Sequence, residues 1–116
     1  MTLEAYLKRL GIPENYAKLG WTASVAQRDG KDCAIVVTNG TEIHFVSLGG
    51  PAMTRKNTLE YLTPIFQEWG FVTTRVPIDE TDHKLRHVLG FKLQWRDDKF
   101  TYWSMTELPF SKRAKP

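Results

Sequence analysis

The chain carries a single cysteine, Cys33. No intramolecular disulfide is possible, so stability must come from a packed core rather than from covalent staples. It has no apolar run approaching the ~20 residues that a membrane-spanning helix needs. Its start, MTLEAYLKRLG, holds no apolar block of the kind that opens a secretion signal. These absences lead to the expectation of a soluble protein of a reducing cytoplasm. The sequence also lacks internal repeats, low-complexity segments, the HExxH zinc signature and the spaced glycines of a nucleotide-phosphate loop. Strong charge of one sign is missing too. The net charge of +3 permits a nucleic-acid or acidic-surface partner without requiring one. The one local basic cluster is terminal, at Lys112, Arg113 and Lys115.

With 41% hydrophobic and 25% charged residues over 116 positions, the chain has enough apolar material for one core, which argues against disorder outside the ends. The expected organisation is one domain over 1–108 and a loose basic tail over 109–116.

Leu3, Tyr6, Leu7 and Leu10 recur at helical spacing, which predicts an amphipathic helix over 2–10 capped by Thr2 and closed by Gly11. A further turn is expected over 15–19. Residues 21–28 alternate, with Ala23 and Val25 on one face. Asp29-Gly30 then signals a tight hairpin, and the β-rich run 32–38 reads as a strand buried on both faces. Asn39-Gly40 signals a second hairpin into an alternating strand over 41–48. Thr54 is placed to cap a long helix to Trp69, with Leu59, Leu62, Ile65, Phe66 and Trp69 on one face and Pro64 expected to kink it or to restart it there. A strand over 71–78 follows, which Pro77 suggests frays there or lies near an edge. A helix over 79–89 has Leu85, Val88 and Leu89 as its stripe and Gly90 as its C-cap. A last hairpin joins 92–95 to 99–105, with Thr101, Trp103 and Met105 facing one way and Phe100 and Tyr102 the other. The crossover through the long helix makes the third and fourth strands parallel or splayed. The expected fold class is α+β, in three layers. Its sheet is mixed and mainly antiparallel, of about six strands, with two or three helices.

Several residues invite a chemical reading. Cys33 lies in the apolar run CAIVV and reads as a core thiol before a nucleophile; its pairing with His44 across the meander is a remote alternative. His83 and His87 stand at i, i+4, a spacing that suits zinc, but a packed or solvated helix face is the plainer reading. Trp95, Tyr102 and Trp103 interleave with Arg96 and Lys99 on the last hairpin, a surface that could stack bases or dock a protein. Core packing on one face and a charged edge on the other is the competing account.

The element order, with Asp79, the pair Leu85-Arg86 and the helix exit Gly90-Phe91, resembles the GCN5-related N-acetyltransferase fold, shortened at its front, over about residues 22–106. The resemblance implies an acetyl-CoA site at the start of the long helix. Gly49 and Gly50, with Arg55 and Lys56, would hold the pyrophosphate there. It implies a base from Glu42 or His44 and an acid from a tyrosine, Tyr102 or Tyr61. Two departures run against activity. The loop SLGGPAMTRKNT lacks the family's glycine spacing, and Arg86 stands where the family often has a tyrosine acid. Arginine stays charged near neutral pH and cannot give up a proton there.

A shortened front and a lost phosphate loop resemble small bacteriophage proteins with degenerate acetyltransferase-like folds, some of them internal virion or head-assembly proteins. That resemblance implies a non-catalytic module without cofactor, located in host cytoplasm or virion. It would bind a phage or host protein, or a second copy of itself, through Trp95, Arg96, Lys99, Tyr102 and Trp103. An acetyl-CoA-dependent N-acetyltransferase is the alternative, and a nucleic-acid-binding module a further one.

Overall fold

The structure is a computed structural model that describes residues 3–109. Thr2, expected as a cap, and the basic tail from residue 110 lie outside the described residues. Helix α1 is Leu3–Arg9, followed by a single 3₁₀ turn at Tyr16–Leu19. The remaining elements are β1 (Thr22–Arg28), β2 (Lys31–Asn39), β3 (Glu42–Ser47), α2 (Arg55–Trp69), β4 (Val72–Pro77), α3 (Lys84–Leu89), β5 (Lys92–Arg96) and β6 (Phe100–Met105). The six strands form one mixed sheet in the order β1-β2-β3-β4-β6-β5.

Turn chemistry sets the meander. Asp29 and Gly30 both adopt positive φ, at 53° and 79°, the two-residue turn whose twist suits a hairpin. The second turn is Gly40-Thr41, because Asn39 still pairs with Glu42 and only Gly40 needs positive φ.

The two sheet faces carry separate cores. On one face, Val36, Ile43, Val72, Val76, Trp103 and Met105 pack under Leu62 and Ile65 of α2 and Leu89 of α3. On the other, Val37, Ile35 and Phe100 pack under Leu7 and Leu10 of α1, with Ile12 and Trp21. This is the expected three-layer arrangement.

Five details differ from expectation. On the edge strand β1 it is Ala26 that is buried, while Val25 is half exposed; a bulge at Ala26/Gln27 shifts the register there. Helix α2 runs unbroken through Pro64. Pro64 and Glu60 are both on the exposed side, so the carbonyl that loses its donor faces water. Trp69 is half exposed rather than core. Helix α3 starts at Lys84, five residues late, after a turn in which the Asp82 carboxylate accepts from the Lys84 N–H. With that start, Leu85 and Val88 face outward and Leu89 alone is buried. Lastly, β4 is interior, between β3 and β6, and Pro77 marks its end rather than a sheet edge.

Candidate functional site: the cleft between β3 and β4

Strands β3 and β4 are parallel but share one register pair, Glu42 with Thr73. The Thr73 N–H donates to Thr41 O at 2.7 Å, and beyond that rung the strands part. The sequence of β4 accommodates the parting. Ile78 N–H bonds toward β6, to Lys99 O, whereas Thr73 N–H bonds toward β3. By alternation, position 77 points its nitrogen toward β3, where no strand lies alongside. Proline has no N–H to strand there. On the β3 side, Ile43 O accepts from the Thr74 hydroxyl at 2.7 Å, a side chain replacing the missing rung.

The gap holds a cavity of about 170 Å³. Its walls come from both helical layers: Tyr6 and Arg9 of α1, Ile43, His44 and Phe45 of β3, and Leu85, Arg86 and Leu89 of α3 are among them. A second cavity of about 180 Å³ lies under the loop before α2, lined by Cys33, Ala34, Ser47, Ala52, Met53 and Thr58 among others. The two share Phe45, Leu85 and Leu89 as walls.

A hydrogen-bonded chain borders the first cavity. His44 Nε2 lies 2.6 Å from Glu42 Oε2, which also accepts from Arg75 Nε at 2.9 Å. Burial by itself would raise the Glu42 pKa. The hydrogen bond from His44 and the charge of Arg75 outweigh it and hold the carboxyl below its ordinary value. An ionised Glu42 accepts only, so Nε2 carries a proton. Thr74 has committed its hydroxyl proton to Ile43 O. The Tyr6 hydroxyl lies 3.4 Å from the other ring nitrogen, Nδ1. Burial raises the Tyr6 pKa, partly offset by the nearby charge of Arg86.

His44, expected on a strand surface, is thus a core residue, 2% exposed. Tyr6 and Trp21 flank its ring at 5.9 and 6.0 Å between centroids. Glu42 is partly buried beside it. Tyr6 joined the cleft unforeseen; its i, i+3, i+4 spacing signalled only a helix face.

The other expected site residues do not converge on this cleft. The Tyr102 hydroxyl donates to Asp97 at 2.9 Å within the last hairpin, and Tyr61 packs against the main core. Gly49 and Gly50 sit in an exposed loop at φ 86° and 72°, and the Gly49 N–H is already used by Ser47 Oγ at 3.2 Å. Arg55 and Lys56 are exposed on the first turn of α2. Cys33 is buried, with Sγ 3.3 Å from Ala26 O. His44 registers with Val37, four residues along β2 from Cys33 and so about 13 Å away; the Cys33–His44 pairing is excluded. His83 and His87 pack on Trp103 at 4.9 and 5.4 Å, and among the described residues no group of three metal-ligating side chains occurs.

The last hairpin divides as its alternation foretold. Trp103 is core, with Nε1 donating to Thr101 Oγ1 at 2.9 Å, and leaves the surface set. Trp95 is 57% exposed and stacks on Tyr102 at 4.2 Å with 12° between ring planes. A bulge between Leu93 and Trp95 turns Trp95 onto the Tyr102 face. Every residue of β5 is exposed.

Compared with known proteins, the chain matches no family model and no curated protein sequence. No helix among the described residues is long and apolar enough to cross a membrane.

Proposed function

We propose that this chain is a non-catalytic module of acetyltransferase-like architecture, of the kind found among small bacteriophage virion proteins, and that it works by binding another protein. The observation that carries this reading is the state of His44. It is buried, and both ring nitrogens are engaged by Tyr6 and Glu42. A base must offer a free lone pair to the proton it abstracts, and neither ring nitrogen of this imidazole is free. The used N–H of Gly49 and the exposed setting of Arg55 and Lys56 weigh the same way against a pyrophosphate cradle. The partner surface is the exposed hairpin. Trp95, held flat on Tyr102, is a preordered aromatic anchor of low entropic cost, with Arg96 and Lys99 beside it.

Isothermal titration with acetyl-CoA tests the reading. No binding heat is expected; micromolar affinity would overturn it in favour of an acetyl-CoA-dependent transferase. One observation favours that second reading. The parted strands leave a cavity, and the Tyr6 hydroxyl, rather than Tyr102 or Tyr61, borders it.

A further inference from the structure

The two cavities differ in character and meet at Phe45, Leu85 and Leu89. The first, in the strand gap, is walled by Tyr6, Arg9, Arg75, Glu80 and Arg86 among others. The second is walled mainly by apolar groups, Ala34, Met53 and Ala52 among them. Side by side they offer a charged end and an apolar end. Their combined size falls in the range of small-molecule sites, about 300 Å³ and upward.

The charges at the polar end are not equally matched. Arg9 Nη2 lies 3.1 Å from Asp79, and Arg75 Nε lies 2.9 Å from Glu42. Arg86 reaches its nearest carboxylate, Glu80, only at 3.9 Å. Its Nη2 instead donates to Asp82 O at 2.7 Å, and its Nε–H is buried without an acceptor. A buried donor left unmet costs about 1–3 kcal/mol, and such a group calls for an explanation. The guanidinium is also the residue type that best matches a planar carboxylate.

We infer that the two cavities open into one slot past their shared walls and that it binds a medium-chain aliphatic carboxylate, its head group on Arg86, its tail along Phe45 and Leu89 toward Met53. A free carboxylate satisfies the unmet donor, while the tail occupies apolar space that a small inorganic anion would leave empty. Exposed Leu85, shared by both cavities, forms the lip over which the chain enters. This site is separate from the hairpin surface and does not depend on it.

The test is an NMR titration of the full chain with octanoate, reading the Arg86 Nε–H and the backbone amides. A shift of the Arg86 Nε–H together with Phe45 and Met53 amides is expected, saturating at a dissociation constant of about 1 mM or below. Acetate, which lacks the tail, should bind at least tenfold more weakly, and octylamine, with the opposite charge, should not shift Arg86. Arg86→Met should weaken octanoate binding at least tenfold. Should that variant fail to fold, Ala52→Trp plugs the apolar end from an exposed position and should have the same effect. Equal binding of octanoate and octylamine, equal binding by wild type and either folded variant, or shifts confined to the Trp95 hairpin would each overturn the inference.

Discussion

His44 Nε2 and Arg75 Nε converge on one oxygen of Glu42, at 2.6 and 2.9 Å. A single carboxylate oxygen thereby ties β3 to β4 across the place where their backbone ladder has ended.

Glu42→Gln removes the charge from that junction. Charge-assisted hydrogen bonds contribute about 1.5–3 kcal/mol, so the variant should unfold about 2 kcal/mol more easily at pH 7. The loss is pH-dependent. Glu42 has a folded pKa below its ordinary 4.5. Its contribution is fully present above that unfolded value and fades as pH falls through the folded one. Urea midpoints of both proteins from pH 7 to 3 should converge in acid. A constant difference would show that the charge is not what matters.

Two tryptophans of the last hairpin should respond in opposite ways. Trp103→Ala empties a core position and should cost about 3–5 kcal/mol. Trp95→Ala gives up a half-exposed stack on Tyr102 and should cost about 1 kcal/mol. Thermal or denaturant unfolding of the two variants separates them. Similar losses would mean that Trp95 is structural and a poor candidate for a partner anchor.

Arg86→Met, in the absence of any ligand, should destabilise only slightly, because the buried donor it deletes without an acceptor offsets the hydrogen bond it loses to Asp82 O. Arg75→Met should destabilise, since it strips one of the two donors from Glu42. A loss at Arg86 as large as that at Arg75 would mean that the bond to Asp82 O outweighs the unmet Nε–H.

Gly90 closes α3 at φ 92°, and a Cβ there would meet nothing within 4 Å. Gly90→Ala should therefore cost only the backbone term, about 1 kcal/mol. Asn at the same position should recover part of it. Chemical denaturation of the pair reads this directly. A much larger loss would imply crowding that the structure does not contain.

The local signals explain how much of the fold was legible. Asp29-Gly30 can adopt paired positive φ cheaply, and the run from Cys33 to Val37 is apolar on both faces, so the meander announces itself. Thr54 and Gly70 bracket α2 because one accepts from Asn57 N–H and the other turns left-handed. The site was hidden because its parts are far apart in sequence. Tyr6 and His44 are 38 residues apart, and nothing in EIHFVS says that α1 will cover the histidine. Polar residues on an alternating strand read as solvent-facing until the covering layer is known. The same limit misplaced Leu85 and Val88, whose apolar stripe was real in spacing but faces outward in an α3 that starts late. Trp103 was put in both roles at once: alternation set it opposite Tyr102, while its aromatic company suggested a surface.

The single rung between β3 and β4 divides the chain cleanly in order as well as in space. Among the described residues, every strand before the 48–54 loop belongs to one three-stranded ribbon with α1, and every strand after it to another with α2 and α3. The backbone scarcely joins them, yet Val36 and Ile43 from the first share one core with Leu62, Val72 and Trp103 from the second. Cohesion across the seam is therefore a property of side chains. The chain is built like two clasped fragments, and a cut within 48–54 should leave pieces that reassemble by recognising each other's apolar faces.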